Sequence, residues 1–262
     1  MGYFSTRHHR GERWCRAFFT GAAPDRICGD ISPDYFLHPA SVERLQAFTL
    51  APKIILAVRE PASWAVSLHR HLGTFEYRVP RFADFLERHR ISDTDWSWLG
   101  RRRDLPEFSI QDSLIEQTVE RYRAAFGARL LLYSFADFAR NPVEILRALE
   151  SFLGLPRWFT DGTDWHVPIN TRWRRNTKLI TYLLSREPVV STAGRLLPGR
   201  VLQRLRLHLD RRAARRATTV ADPAGPADLD LARHRLAADR RYVERLFAAA
   251  PVQLGDGTPL ET

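Results

Sequence analysis

The chain has 262 residues, enough for one α/β domain or for one domain with a helical appendage. Apolar residues make up 44% of it and aromatic residues 11%, which is enough for a sizeable core, so we do not expect a disordered chain. No apolar run approaches the length of about 18 residues that crosses a bilayer, and the first ten residues lack the apolar stretch of a signal peptide. We therefore expect a soluble, cytoplasmic protein.

The formal net charge is +10, and it comes almost entirely from arginine, since Lys53 and Lys178 are the only lysines among 40 basic residues. Arginine and alanine in excess are what a GC-rich genome produces without selection for a ligand. The charge favours anionic partners such as a nucleotide, a sulfated glycan, an anionic membrane or nucleic acid. Because the arginines are spread along the chain, we do not expect nucleic acid. Cys15 and Cys28 are expected to be reduced packing residues.

Two strand–helix units stand out in chain order. The apolar run 51–58 predicts a central parallel strand that is covered on both faces, and Arg59 ends it before a helix that begins near Pro61. A helix over 114–126 precedes a second buried strand over 130–133 and a short loop. Asn141 and Pro142 then open a helix that stops at Gly154. Strands alternating with helices indicate an α/β fold with a mostly parallel sheet flanked by helices.

The C-terminal part differs in composition. Arginines are dense over 195–216, a linker rich in Pro, Gly, Ala and Asp covers 221–226, and a single helix is predicted over 229–249. The arginine-rich segment gives a second interpretation of the chain, as a non-catalytic protein that binds nucleic acid or anionic lipid.

A candidate anion site lies where the first strand ends. Ligands of parallel sheets bind at the carboxyl ends of the strands, and Arg59 occupies such an end. Its guanidinium offers a planar fork of donors to phosphate oxygens, and Ser67, in the helix that follows, offers a hydroxyl. A surface arginine and an ordinary helical serine are the alternative interpretation.

Three blocks together resemble the sulfotransferases that use PAPS (3′-phosphoadenosine-5′-phosphosulfate). Residues 53–67 resemble the family's 3′-phosphate segment, with an apolar strand, Arg-x-Pro and a serine eight residues after the arginine. Residues 29–36 resemble its Ser/Thr-Pro-x-Tyr segment in the bacterial and heparan-sulfate-type branches, and residues 131–156 resemble its later strand–loop–helix. The blocks occur in family order over about residues 1–180.

The resemblance implies a fold of the P-loop nucleotide-kinase type and sulfuryl transfer from PAPS to a hydroxyl, or to an amine, of a carbohydrate, lipid or small molecule. Arg59 and Ser67 would bind the 3′-phosphate. Tyr133 would lie near the adenine or would be a core aromatic. Arg174 and Arg175, with Arg172, would close over the nucleotide or would form a solvated basic surface. No metal is implied.

The resemblance also indicates which elements of the family are not found in this sequence. The family's Gly-rich 5′-phosphosulfate loop and the Lys-Glu segment that supplies a base precede the residues that match Met1–Phe4, and Ile31 stands where relatives carry a lysine. The catalytic base is therefore unknown, with His8, His9, His69 and His71 as possible substitutes. Either the true start lies upstream, which we favour and which would leave the given chain unstable, or the chain is a decayed relative.

We expect residues 1–190 to form this α/β domain, N-terminally incomplete, and residues 191–262 to form a basic helical extension packed on it. The aromatic and basic stretch 75–108 is expected to line the acceptor site or to pack on its own aromatics. A nucleotide kinase on a similar sheet is a further alternative, but the sequence contains no Gly-x-x-x-x-Gly-Lys-Ser/Thr loop. The acceptor and the oligomeric state stay open.

Overall fold

The computed structural model describes residues 2–23, 25–75, 81–88, 110, 113–160 and 225–260. The helices of these residues are α1 (Glu12–Ala17), α2 (Ser41–Gln46), α3 (Pro61–Phe75), α4 (Phe82–Arg88), α5 (Leu114–Phe126), α6 (Phe135–Arg140), α7 (Pro142–Leu153), α8 (Pro226–Arg235) and α9 (Ala237–Leu246). The strands are β1 (Ile54–Val58), β2 (Leu130–Ser134) and β3 (Val252–Leu254), and short 3₁₀ turns span His8–Arg10, Pro33–Tyr35 and Gly127–Arg129.

The three described strands form one sheet in the order β1-β2-β3. β1 and β2 run parallel, with Ile54 opposite Leu130 and Val58 opposite Ser134. A parallel pair needs a crossover, and α3, α4 and α5 lie in the chain between the two strands. β3 pairs antiparallel to β2. The α/β class predicted from the sequence is therefore confirmed.

β2 is the buried centre of this sheet. Leu130 and Leu132 pack on one face against α5 and the N-terminal segment, and Leu131 packs on the other face against Ile145 of α7. Successive side chains of a strand point to opposite faces, so an unbroken apolar sequence matches a strand that is covered on both sides.

β1 does not match that prediction. In the sheet of the described residues it is an edge strand, and only the face formed by Ile54, Leu56 and Val58 joins the core. Ile55, on the opposite face, is 41% exposed. Among the described residues, the prediction of a central strand covered on both faces is therefore wrong. An apolar run shows that burial of the strand is favourable, but it does not specify which segments pair with the strand or cover its faces.

The predicted helix boundaries near the sheet are confirmed. Asn141 accepts a hydrogen bond from the backbone N–H of Glu144, and Pro142 is the first helical residue of α7. Gly154 ends α7 in the left-handed conformation, at φ 71°. The short loop predicted after β2 is instead the helix α6, whose N-terminus is capped by Ser134.

The C-terminal segment is less helical than predicted. The expected single helix is broken at Leu236 into α8 and α9, and the chain then forms β3. Leu236 is 2% exposed and packs beside α3 and α4, so its burial fixes the bend. Beyond β3, Gly255 lies so close to the start of β2 that a Cβ there would be 2.5 Å from the carbonyl oxygen of Gly127, in the preceding turn, and 2.9 Å from the Cβ of Leu130. Residues 225–260 thus form the helices α8 and α9 and add the strand β3 to the sheet.

A buried carboxylate joins this segment to α5. Asp239 of α9 is 1% exposed and accepts hydrogen bonds from the backbone N–H groups of Ile115, at 3.1 Å, and Glu116, at 2.9 Å. These are N–H groups of the first turn of α5, which have no partner within their own helix. Ser113 precedes the helix without a side-chain cap. Asp239 therefore caps α5 from a position 124 residues away in the sequence.

Candidate functional site

The carboxyl ends of β1 and β2 meet at one edge of the sheet. Because Val58 lies opposite Ser134, the next residues along the two parallel strands, Arg59 and Phe135, are neighbours. α3 begins at Pro61, immediately beyond this edge, and α6 begins at Phe135. The edge therefore combines strand ends with two helix N-termini, an arrangement that favours anionic ligands.

Arg59 is half-buried at this edge, and its guanidinium carbon lies 5.3 Å from the centre of the Phe135 ring. Burial lowers the pKa of the Arg59 guanidinium, and the charge of Glu60 opposes that shift. Among the described residues, no carboxylate forms an ion pair with Arg59 and no side chain or carbonyl accepts its hydrogen bonds. A partly desolvated cation with unused donors is suited to bind an anion.

Glu60 is the nearest acidic residue in sequence, and its carboxylate is engaged elsewhere. It accepts hydrogen bonds from the backbone N–H groups of Ala62, at 3.2 Å, and Ser63, at 2.7 Å. Arg240 of α9 approaches the same carboxylate at 3.5 Å. Glu60 therefore caps α3 and pairs with the C-terminal segment, so it leaves the guanidinium of Arg59 available.

Ser67 lies six residues beyond the start of α3, about 9 Å along the helix axis. Ser63 and Ser67 are four residues apart and both half-buried, so they share one helix face. The adjoining face, with Ala62 and Val66, is buried in the core. Within the described part of the chain, the Ser67 hydroxyl makes no hydrogen bond. The structure thus places Arg59 and Ser67 on consecutive elements at one edge of the sheet.

Tyr133 is connected to Arg59 through aromatic rings. Its ring centroid lies 5.8 Å from that of Phe138, which lies 6.5 Å from that of Phe135. Burial raises the pKa of the Tyr133 hydroxyl. Tyr133 packs against the α7 side of the sheet as a core aromatic does, and its contact with an adenine stays a prediction.

The 29–36 segment is held to the beginning of the chain by polar contacts. The Ser32 hydroxyl accepts a hydrogen bond from the backbone N–H of Gly2, at 2.9 Å, and donates to Asp30, at 3.1 Å. The Tyr35 hydroxyl also donates to Asp30. Burial, followed by this contact with Asp30, raises the pKa of Tyr35. Ile31, which stands where relatives carry a lysine, is 93% exposed.

The histidines offered as substitute bases differ in their surroundings. His69 packs between Phe82 and Phe85, with ring centroids 5.3 and 5.0 Å away, which is the ordinary packing role of a helical histidine. His8 lies 5.1 Å from the ring of Tyr3, and His9 is exposed. The side chain of His71 is outside the described residues. The catalytic base stays unassigned.

Several predictions fall partly or wholly outside the described residues. Arg172, Arg174, Arg175 and the arginine-rich segment 195–216 lie outside them. Of the stretch 75–108, the helix α4 is described, and its Phe82 and Phe85 are 5% and 0% exposed. The two rings lie 6.2 Å apart between centroids in the core, which agrees with the second interpretation of this stretch, packing on its own aromatics; the part that would line the acceptor site stays a prediction. Cys28 is exposed, which corrects its expected packing role, whereas Cys15 is buried.

Two residues of the site were not found from the sequence. In the sequence, Phe135 is an apolar residue after a strand, with no feature that indicates a site. The register between β1 and β2 brings it next to Arg59. Arg240 is one of many arginines of the C-terminal segment, and its approach to Glu60 depends on how α9 packs. Within the described ranges, no group of three His, Cys, Asp or Glu residues has the arrangement of a metal site. No described helix is long and apolar enough to cross a membrane.

Comparison with known proteins gives the following relatives. No family model matches the chain. Over 163 residues, which is 61% of this chain, it is 26% identical to heparan sulfate glucosamine 3-O-sulfotransferase 3B1 of Mus musculus, of which the match covers 39%. Over 159 residues it is 24% identical to heparan sulfate glucosamine 3-O-sulfotransferase 6 of Homo sapiens, of which the match covers 44%. The match therefore spans less than half the length of these curated relatives.

A crystal structure of a sulfotransferase from Alicyclobacillus acidocaldarius shares 24% sequence identity with the chain, at a TM-score of 0.46. That similarity covers 61% of this chain and 63% of the bacterial protein. The resemblance drawn from the three sequence blocks agrees with these matches, in which the chain is similar to heparan sulfate sulfotransferases over 61% of its length.

Proposed function

We propose that this chain is part of a sulfotransferase that transfers a sulfuryl group from PAPS to a hydroxyl group of a glycan or small molecule. The observation that carries the proposal is the half-buried Arg59 guanidinium, which lies at the carboxyl edge of the parallel strands without a carboxylate partner among the described residues. The similarity to sulfotransferases supports the choice of donor, since the same arginine falls in the segment that resembles the family's 3′-phosphate site.

The residues at the carboxyl edge of the sheet fit the 3′-phosphate end of PAPS. The Arg59 fork would take two oxygens of the 3′-phosphate, and the Ser67 hydroxyl would donate a further hydrogen bond. The N-terminus of α3 adds a favourable partial charge, although Glu60 occupies its first N–H groups. PAPS would supply the activated sulfuryl group. The acceptor oxygen forms the new bond to sulfur as the bond to the phosphate breaks, and the acceptor proton passes to a base.

The names of the relatives favour a glycan acceptor, since both are heparan sulfate glucosamine sulfotransferases. The net charge of +10 supports an anionic acceptor, because it raises the rate at which such a molecule meets the protein. Transfer of labelled sulfate from PAPS to heparan sulfate, compared with transfer to an uncharged phenol, tests this choice. Cytoplasmic location and bacterial origin stay predictions from the sequence.

The donor site is tested by calorimetric titration with PAP, the product that PAPS leaves after transfer. We expect Arg59→Ala to weaken PAP binding about 100-fold, because two charge-assisted hydrogen bonds are lost, and Ser67→Ala to weaken it about 5-fold. Arg59→Ala should also abolish the preference of the wild-type protein for PAP over 5′-AMP, which lacks the 3′-phosphate.

Arg129→Ala is the matched control. Arg129 is also half-buried and also lies over a phenylalanine, with its guanidinium carbon 5.6 Å from the ring of Phe126. It precedes β2, however, and so lies at the opposite end of the sheet from Arg59. Equal loss of PAP affinity in the two variants would refute the assignment of the 3′-phosphate to Arg59. Folded wild-type protein that does not bind PAP would refute the proposed function.

A further inference from the structure

Phe135 is an exposed apolar residue at the site itself. It is the first residue of α6, follows the last residue of β2, and is 39% exposed. Its backbone position is fixed from both sides. Ser134 pairs with Val58 in the sheet, and its hydroxyl accepts a hydrogen bond from the backbone N–H of Asp137, at 3.3 Å. The ring therefore extends from a rigid corner of the fold.

The Phe135 ring has two described neighbours. Phe138, one turn further along α6, lies at 6.5 Å between centroids and itself packs against Tyr133. The Arg59 guanidinium carbon lies 5.3 Å from the Phe135 ring centroid. The ring thus contacts both the cation and the aromatic residues of the sheet edge.

The chemical nature of the group that contacts Arg59 determines how many of its hydrogen-bond donors a ligand can use. A carboxylate partner would accept hydrogen bonds from the guanidinium and use up the fork that binds phosphate. An aromatic ring attracts the cation through its π face and accepts none of the strong hydrogen bonds. Since Glu60 is engaged by α3 and Arg240, the ring restrains Arg59 and leaves its N–H groups for a ligand.

We propose that Phe135 is a positioning residue for the anion site: its ring holds the Arg59 guanidinium in the orientation that binds the 3′-phosphate of the nucleotide. This inference rests on the proposed function, and it adds a residue that acts through Arg59 rather than by touching the phosphate. It predicts that the identity of residue 135 affects affinity only for ligands that carry a 3′-phosphate.

The test uses Phe135→Leu, which keeps an apolar side chain and removes the π face, and Phe135→Tyr, which keeps the ring. Dissociation constants for PAP and for 5′-AMP are measured with each variant. Phe18→Leu is the control, since Phe18 directly follows α1 and its side chain is 55% exposed. We expect Phe135→Leu to weaken PAP binding about 5- to 30-fold and to leave 5′-AMP binding unchanged. Phe135→Tyr and Phe18→Leu should stay within about twofold of wild type.

A double-mutant cycle separates positioning from a structural role. In the Arg59→Ala background, Phe135→Leu should cause no further loss of PAP affinity, because the two residues act through one contact. Additive losses, or equal losses for PAP and 5′-AMP, would overturn the inference. The inference would also be overturned if PAP binding requires Arg59 but is unchanged in Phe135→Leu. That result would leave the proposed function intact. Wild-type protein that does not bind PAP would overturn both.

Discussion

Replacing Asp239 with alanine tests how the C-terminal segment stabilises the α/β body. The variant leaves the backbone N–H groups of Ile115 and Glu116 without the acceptor they have in the folded protein. Each unsatisfied buried donor costs about 1–3 kcal/mol, and loss of an N-cap costs about 0.5–2 kcal/mol. Because water can reach part of the opened site, we expect a loss of about 3 kcal/mol in the free energy of unfolding.

For a chain of this size, that loss lowers the melting temperature by ~6–12 °C. Circular dichroism during thermal and urea unfolding measures it, and Asp239→Asn, which keeps one acceptor oxygen, should lose about half as much free energy. Amide hydrogen exchange should become faster at Ile115 and Glu116, at the start of α5, before it changes in β2.

Asp230→Ala is the control for this prediction. Asp230 lies in the neighbouring helix α8, its side chain is 70% exposed, and it forms a surface ion pair with Arg233. Its replacement should cost under about 0.5 kcal/mol. The interpretation of Asp239 as a long-range cap is refuted if the two alanine variants unfold at the same urea concentration.

Three further predictions concern other parts of the molecule. Ile55→Lys should reduce self-association, measured by light scattering, and change the free energy of unfolding by under about 0.5 kcal/mol, because this side chain lies on the open face of an edge strand. Arg240→Ala should weaken PAP binding about 2- to 5-fold in calorimetry, because Glu60 then competes for Arg59, and Glu60→Gln in that background should restore it. Burial raises the pKa of Tyr122 above its unfolded value of about 10. The folded protein then holds a proton that the unfolded chain releases above that pH, so stability should fall as pH rises beyond about 10, by up to ~1.4 kcal/mol per pH unit from this tyrosine.

Each of these predictions has its own contradicting outcome. Ile54→Lys, at the adjacent position on the core face of β1, should destabilise the fold, and equal effects at 54 and 55 would show that the two faces are not distinct. Unchanged PAP affinity in Arg240→Ala would remove the C-terminal segment from the site. The urea-derived stability of Tyr122→Phe between pH 9.5 and 11 should fall less steeply than that of wild type, and an unchanged slope would argue against a buried, protonated Tyr122.

Sequence reasoning placed Arg59 and Ser67 correctly in the fold, because their positions depend on local features. An apolar run makes a strand, Pro61 follows its end, and helical spacing carries the chain to Ser67. The role of both residues in phosphate binding came from a resemblance and stays a proposal. The partner of Arg59 was not predictable, since Phe135 reaches it through a register between strands more than 70 residues apart.

The sequence by itself determined the elements that depend on neighbouring residues: the two strands, predicted over 51–58 and 130–133, the helix that follows β1, and the Asn141 and Gly154 caps of α7. Tertiary structure alone decided that β1 is an edge strand among the described residues, that α8 and α9 part at Leu236, and that Asp239 caps α5. The physical reason is the same in each case. Local propensities act over a few residues, whereas strand order, burial and long-range hydrogen bonds depend on which distant segments meet when the chain becomes compact.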